Sequence, residues 1–263
     1  MIESMTSALI GRVVGGYTEH LTAIGRAPGT VRLRTHHVRR CFTELGISPW
    51  QATTTDLEHW LAAHDWNAAS RRSAVASLRD FYRWAQREGH DNPAALLVAP
   101  PEPAPCSRPC PDAAVDHALA CESGVRWWLV RLAASTGLRR AELAVVHSSD
   151  AADGWLTVHG KGNKIRRVPL PADVSAWLST CHGYAFPGRS GGHVSVDWVH
   201  DVISQATGYP PHRLRHRYAN RVYAGSHDVR AVQALLGHAS LATTQRYLGL
   251  DDDQLTRAAA WAA

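Results

Sequence analysis

Residues 212–216 read His-Arg-Leu-Arg-His, and residues 235–247 read Leu-Leu-Gly-His-Ala-Ser-Leu-Ala-Thr-Thr-Gln-Arg-Tyr. His212 and Arg215 are three residues apart, so on a helix both side chains point to one side. Planar guanidinium groups suit the oxygens of a phosphodiester, and a tyrosine becomes a nucleophile when a neighbouring base or cations assist it. The stretch therefore predicts helices that hold a phosphodiester and present the phenol oxygen of Tyr247 to it.

The composition is that of a globular protein. The chain has 263 residues, of which 45% are hydrophobic and 19% are charged, enough for one large domain or two modest ones. No window approaches the run of ~20 apolar residues that a membrane helix needs, and the first residues do not resemble a signal peptide. We therefore expect a cytoplasmic protein. The net charge of +5 is only weak support for a nucleic-acid partner.

Cysteine and histidine usage predicts neither disulfides nor a metal centre. The five cysteines are odd in number and scattered, which fits a reducing compartment. Cys106 and Cys110 lie among prolines without a Cys/His pair at zinc spacing. His212 and His216 have the spacing of a metal-binding pair, but no third ligand stands near them. We expect no metal and no cofactor.

The chain divides at a proline-rich stretch. Residues 97–111 contain six prolines, which cannot continue a helix or a central strand and so predict a linker. Residues 1–96 form a helical domain by pattern, and residues 112–263 form a second domain. The predicted fold class is mainly α with a small β-sheet, in two domains. The sheet is a hairpin of strands at 155–159 and 165–170 around a glycine-rich turn.

Helices with apolar stripes are predicted on both sides of the linker. Thr30 can cap a helix that ends at Gly46, and Ser70 can open another that carries Val75, Leu78 and Phe81 on its apolar side. After residues 127–135 and a helix opening at Thr136-Gly137, further helices are expected at 171–180, 194–207, 211–224, 228–236 and 241–248. Arginines on the N-terminal helices are either a solvated face or phosphate contacts, of which we favour the second: Arg32, Arg39, Arg72, Arg79, Arg83 and Arg87.

Two lysines stand out in a chain that otherwise uses arginine. Of 28 basic residues only Lys161 and Lys164 are lysines, and both lie in the predicted hairpin turn. A lysine can have its pKa lowered and then donate a proton, whereas arginine stays charged. The turn is therefore either a proton-donating loop or simply a polar hairpin tip.

Four segments together resemble the tyrosine recombinase family, which includes phage integrases and Xer-type recombinases. The segments appear in the family's order and are TGLRRAEL at 136–143, HGKGNKIRRVPL at 159–170, HRLRHRYAN at 212–220 and LLGHASLATTQRY at 235–247. The N-terminal half also resembles the family's helical, SAM-like core-binding domain. The resemblance implies a site-specific recombinase that clamps duplex DNA and works through a 3′-phosphotyrosine intermediate and a Holliday junction.

The resemblance also implies a role for each motif residue. Tyr247 would be the nucleophile, Arg139 and Arg215 the phosphate clamp, and Lys161 the general acid. His212 would assist proton transfer from the tyrosine, and His238 would donate a hydrogen bond to the scissile phosphate. No metal or cofactor is implied, because the covalent bond to tyrosine conserves the energy of the broken strand.

The expected partners are recombination sites on double-stranded DNA and other copies of the chain. Sixteen residues follow Tyr247, including Leu255 and Trp261, and they would pack either on a neighbouring protomer or on their own domain. Packing in trans would build a tetramer on two DNA sites. Only 29 residues precede Thr30, so we expect a short recombinase without an arm-binding domain.

Two alternatives to recombination stay open at this point. The same tyrosine chemistry serves type IB topoisomerases, which relax DNA and do not exchange strands. A non-catalytic DNA-binding protein could also keep the fold, although the presence of all six motif residues disfavours that alternative.

Overall fold

The computed structural model describes residues 2–101, 108–160 and 164–237. The chain separates into two compact units, Met1–Ala104 and Pro105–Ala263. The division falls inside the predicted proline-rich stretch, and each unit has a hydrophobic core of its own. Within the described residues, no helix is both long and apolar enough to cross a bilayer.

The described part of the N-terminal unit is helical. Its helices are α1 (Ile2–Ala23), α2 (Pro28–Leu45), α3 (Thr54–Ala62) and α4 (Ala68–Arg87). Helix α2 ends at Gly46 in the left-handed region (φ 66°), as predicted, because glycine adopts that conformation without a Cβ penalty. The predicted start at Thr30 is wrong: the helix begins at Pro28, whose fixed φ suits the first helical turn.

The core of this unit comes from the predicted apolar faces. Val38 and Phe42 of α2 are buried against Val75, Leu78 and Phe81 of α4 in one cluster. Helix α4 begins two residues before the predicted start at Ser70. The Asn67 side chain accepts a hydrogen bond from the Ser70 backbone N–H at 2.9 Å, so Asn67 is the capping residue. Ser70 therefore lies inside the first turn.

The C-terminal unit combines helices with a small antiparallel sheet. Its helices are α5 (Asp112–Cys121), α6 (Gly124–Thr136), α7 (Arg140–Ala144), α8 (Ala172–Thr180), α9 (Val196–Thr207), α10 (Pro211–Ser226) and α11 (Val229–Leu236). The sheet consists of β1 (Ala151–Ala152), β2 (Trp155–Gly160) and β3 (Lys164–Pro169), in the order β1-β2-β3. The predicted mainly α fold with a small sheet is confirmed.

The hairpin matches its sequence pattern. Leu156 pairs with Val168 and Gly160 pairs with Lys164, so the buried side chains of both strands share one face. That face packs with α6, α9 and α10 in one core cluster. The two-residue strand β1 is too short for a periodic signal, and the sequence did not predict it. The predicted helix at 241–248 lies outside the described residues.

Candidate functional site

A buried carboxylate lies at the centre of the C-terminal unit's polar interior. Glu142 of α7 is only 7% exposed. Its carboxylate accepts hydrogen bonds from the Arg139 backbone N–H and the Arg139 guanidinium, both at 2.8 Å. It also accepts two from the Arg166 guanidinium, at 2.9 and 2.7 Å. A carboxylate removed from water needs such partners, and here two arginines supply them.

Arg215 joins the same group from α10. Arg215 is only 4% exposed, and its guanidinium lies 4.0 Å from Glu142 Oε2. It donates hydrogen bonds to the carbonyl oxygens of Gly137 and Leu236, both at 2.6 Å. Arg139 and Arg215, which are far apart in sequence, are therefore brought to one carboxylate. The structure brings these two predicted arginines together.

The turn before α7 makes this approach possible. Gly137 ends α6 with φ 60°, and a Cβ at this position would clash with the Tyr218 ring of α10. The predicted helix opening at Thr136-Gly137 is wrong. Thr136-Gly137 closes α6 with a left-handed glycine, and Arg139 is the residue before the first turn of α7.

His212 lies near these arginines in a shared cleft. Within the part of the chain that the structure describes, the cleft is lined by Leu138, Arg139, Arg140, His200, Pro210, Pro211, His212 and Arg215. His212 and Arg215 line it from one side of α10, in agreement with their spacing of three residues. His200 of α9 is a cleft residue that the sequence analysis did not single out.

The histidines of α10 are predominantly neutral at neutral pH. Burial lowers the pKa of His212, and the charges of Arg213 and His200 lower it further. Burial likewise lowers the pKa of His216 to about 4, with His212 and Arg215 adding to the effect. A neutral imidazole can accept a proton, which is what a helper of a tyrosine nucleophile must do. Across the described ranges no three His, Cys, Asp or Glu side chains are grouped as metal ligands.

The interior around Glu142 carries excess positive charge. Burial alone raises the pKa of Glu142, but hydrogen bonds from Arg166 and Arg139 outweigh burial and lower the pKa to about 2. One negative charge thus stands beside the guanidinium groups of Arg139, Arg166 and Arg215. Because these charges do not cancel, the cleft is suited to an anion such as a phosphodiester.

Sequence reasoning missed Glu142 and Arg166. One signal was available for the carboxylate: Glu142 is the third residue after Arg139, the spacing at which a side chain reaches back to the amide that precedes a helix. No such local signal exists for Arg166, because its partners Glu142 and Leu235 are far from it in sequence.

Three predicted residues, Lys161, His238 and Tyr247, lie outside the described residues. The structure does describe the chain next to two of them. Gly160 pairs with Lys164 at the end of the hairpin that carries Lys161 in sequence. Helix α11 ends at Gly237, immediately before His238 in sequence. The roles of all three residues stay predictions.

The arginines of the N-terminal unit have mixed environments. Arg72 donates to the carbonyl oxygens of Pro100 and Pro101, at 3.1 and 2.6 Å, and Arg79 donates to that of Leu97. Arg83 is paired with Asp80 at 3.6 Å, yet its side chain is 66% exposed.

Asp80 also pairs with Arg34 at 3.2 Å, so the arginines of α4 have an acidic residue beside them. Arg32, Arg39 and Arg87 are exposed. DNA contact stays an untested prediction for all six arginines, and we carry it forward for the exposed Arg32, Arg39, Arg83 and Arg87.

The chain matches a known protein family and known relatives in sequence. Residues 111–254 match the sequence profile of the Phage integrase family. Tyrosine recombinase XerC of Methylobacterium nodulans is 34% identical over 284 residues, covering 94% of this chain and 83% of the relative. Tyrosine recombinase XerC of Chromobacterium violaceum is 32% identical over 274 residues, covering 92% of this chain and 91% of the relative.

A solved structure supports the fold. The structure of a lambda integrase dimer bound to a COC′ core site matches with a TM-score of 0.73 and 21% identity, covering 90% of this chain and 76% of that chain. At this level of identity the likeness concerns the fold alone.

Proposed function

Since the chain belongs to the Phage integrase family of tyrosine recombinases and is a site-specific DNA recombinase, we propose that Tyr247 is the nucleophile of its strand cleavage. The observation that carries the proposal is the meeting of Arg139 and Arg215 at Glu142, in a unit whose cleft both arginines line with His212. Arg139 comes from the turn before α7, and His212 and Arg215 both come from α10. The two guanidinium groups and the neutral imidazole form the phosphate-binding and proton-accepting half of a phosphodiester-cleaving site.

The two arginines act on the phosphate. During attack, negative charge grows on the non-bridging oxygens of the phosphodiester, and fixed guanidinium groups stabilise that charge. Arg215 is held by two carbonyl oxygens and Arg139 by Glu142, so neither must reorganise when the transition state forms. His238 adds a further hydrogen bond to the same phosphate.

The proton balance needs one acceptor and one donor. The phenol oxygen of Tyr247 attacks phosphorus, and its proton passes to His212, whose lowered pKa keeps the imidazole available. The bond between phosphorus and the 5′ oxygen breaks, and Lys161 protonates the leaving oxygen. The products are a 3′-phosphotyrosine and a free 5′-hydroxyl. Attack by the 5′-hydroxyl of another strand reverses each step and yields a Holliday junction, so no cofactor is consumed.

The partners follow from this chemistry. Strand exchange requires two double-stranded recombination sites and enough protomers to cleave each strand, which a tetramer supplies. The segment after Tyr247, with Leu255 and Trp261, connects the protomers by packing in trans. The N-terminal unit acts as the core-binding domain, with the exposed arginines Arg32, Arg39, Arg83 and Arg87 on the DNA backbone.

Formation of a covalent adduct tests the proposal. Duplexes selected from a random pool by binding to the protein are nicked near the cleaved position, so that the broken strand diffuses away and the adduct accumulates. Wild-type protein should form a denaturation-resistant adduct that maps to Tyr247. Tyr247→Phe should bind equally well and form none. An adduct with Tyr247→Phe would assign the nucleophile to another residue.

The same duplexes separate recombination from relaxation. Recombination requires two sites, whereas relaxation of a supercoiled plasmid requires none. Rapid relaxation of a plasmid without any selected site would favour a topoisomerase activity.

A further inference from the structure

Arg166 occupies the centre of the buried network without lining the cleft. Its side chain is 9% exposed and projects from β3. The two terminal nitrogens bind both oxygens of the Glu142 carboxylate, at 2.9 and 2.7 Å, and Nε donates to the Leu235 carbonyl oxygen at 2.9 Å. A single planar guanidinium thus connects β3, α7 and α11 in a forked geometry that lysine cannot reproduce.

The last turn of α11 is held by two arginines. The final carbonyl groups of a helix have no partner within the helix. Here Arg166 binds the carbonyl oxygen of Leu235, and Arg215 binds that of Leu236. Gly237 follows with φ 65°, and a Cβ at this position would lie 2.9 Å from Arg166 Cδ. The glycine therefore leaves room for Arg166 just before the chain continues to His238.

Glu142 depends on Arg166 for its charge and position. Burial opposes the ionised carboxylate, and the Arg166 hydrogen bonds are the largest opposing effect on its pKa. Glu142 in turn orients Arg139, whose side chain is 43% exposed and is therefore less confined by its neighbours than the buried Arg166. If Arg166 were removed, the carboxylate would lose two of the three hydrogen bonds that it accepts from guanidinium groups, and Arg139 would lose its fixed direction.

From this geometry we propose that Arg166 is a positioning residue for strand cleavage. It fixes Glu142, and through Glu142 the phosphate-binding Arg139, while it anchors the end of α11 that leads to His238. Its action is indirect, because Arg166 is not among the described residues that line the cleft. The inference rests on the proposed function, since it concerns the same reaction.

The test compares DNA binding with cleavage in matched variants. Arg166→Gln removes the fork, Arg166→Lys keeps the charge, and Arg167→Gln is the control. Arg167 is the next residue of β3, is exposed and lies with its guanidinium 5.1 Å from the Trp155 ring centroid. The measured quantities are the Kd for a selected duplex and the single-turnover rate of adduct formation on its nicked form.

A misplaced phosphate clamp should slow cleavage and spare binding. Arg166→Gln should form adduct about 100-fold more slowly than wild type, because small displacements at a reacting centre have effects of that size. Its Kd should stay within about twofold of wild type, since Arg166 does not line the cleft and Arg139, which it positions, is only a small part of a DNA interface. Arg166→Lys should recover part of the rate, and Arg167→Gln should match wild type. A 5′-bridging sulfur, which needs no proton, should not restore Arg166→Gln.

A double variant keeps the test valid if Arg166→Gln fails to fold. Replacing both members of a buried ion pair is milder than replacing one. If Arg166 acts through Glu142, the combination Glu142→Gln with Arg166→Gln should cleave within about tenfold of the rate of Glu142→Gln alone, a comparison that does not need the Arg166→Gln single variant. An independent role for Arg166 would lower the rate by about a further 100-fold.

The outcomes separate this inference from the function on which it rests. Adduct formation by Arg166→Gln at the wild-type rate, or a loss of binding that parallels the loss of cleavage, would overturn the positioning role. Multiplicative losses in the double variant would overturn it as well. Failure of wild-type protein to form any adduct would overturn the proposed function itself.

Discussion

Arginines are prominent both on α4 of the N-terminal unit and around Glu142 of the C-terminal unit, but their partners differ. On α4, Arg72 and Arg79 bind backbone carbonyl oxygens, and Arg83 pairs with Asp80 at the surface. In the C-terminal unit, Arg139, Arg166 and Arg215 share one buried carboxylate. The partners, more than the residue type, therefore decide what an arginine can do.

The difference has an electrostatic basis. A surface pair such as Arg83 with Asp80 is screened by water and salt and contributes little to stability. Glu142, Arg166 and Arg215 are removed from water, so their interactions are stronger and an unpaired member costs more. The C-terminal cluster can hold an anion firmly, whereas the exposed arginines of α4 can contribute only a salt-dependent attraction.

The largest effect is expected from removing Arg215. Arg215→Ala should lower the rate of adduct formation about 1000-fold, because it removes a preorganised group that we propose donates to the phosphate. Arg221→Ala, on the same helix, is the control, since Arg221 is exposed and paired with exposed Asp112. Single-turnover adduct assays measure both. Equal rates for Arg215→Ala and Arg221→Ala would remove the distinction between the buried and exposed arginines.

Substitutions of Lys161 test whether strand cleavage needs a proton donor in addition to fixed positive charge. Lys161→Ala should slow cleavage about 100-fold, the lower range for general acid catalysis. A substrate with a 5′-bridging sulfur should restore the rate, because its leaving group needs no proton. Lys161→Arg should keep the charge and stay slow on the ordinary substrate. If sulfur fails to restore Lys161→Ala, the lysine is not the general acid.

Glu142 links the arginine cluster to stability. Its pKa is lowered from 4.5 to about 2 in the folded protein. Because the pKa is lower in the folded protein, the ionised carboxylate contributes about 3 kcal/mol to the free energy of unfolding above pH 4.5. This contribution is lost as the pH falls from about 4.5 to about 2. Glu142→Gln should remove this acid-dependent component of the free energy of unfolding.

Denaturant unfolding between pH 7 and pH 2 measures this component. Asp112→Asn, which alters an exposed carboxylate paired with Arg217 and Arg221, should change stability by less than about 1 kcal/mol. If Glu142→Gln keeps the wild-type slope of stability against pH, the buried carboxylate is not the group that titrates.

The smallest effect concerns the arginines of α4. The combination of Arg83→Ala and Arg87→Ala should reduce the slope of log Kobs against log salt by about 1 to 2, since each phosphate contact contributes about 0.9. The combination of Arg72→Ala and Arg79→Ala should leave the slope nearly unchanged, because those guanidinium groups bind Leu97, Pro100 and Pro101. Binding titrations at several salt concentrations distinguish the pairs. Equal slopes for the two double variants would indicate that Arg83 and Arg87 form a solvated face and do not contact phosphates.

Local sequence patterns predicted most of the fold. The apolar stripes of α2 and α4, the alternation of β2 and β3 and the stop at Gly46 are short-range signals, and the structure confirms them. Helix starts were less well predicted at Thr30 and Ser70, because several nearby residues can cap a helix and local competition chooses between them. The reversed reading of Thr136-Gly137 has the same origin, since a glycine after a threonine suits either end of a helix.

The protein class can be read from the chain alone, from apolar residues at helical spacing, one hairpin and four ordered motifs, and the match to the Phage integrase family confirms it. How the charges are shared emerges only when the chain folds. Glu142 meets not only Arg139, three positions before it, but also Arg166, 24 positions after it, and Arg215 on the later helix α10. Residues so distant in sequence leave no periodic trace, and only chain folding brings them within hydrogen-bonding distance.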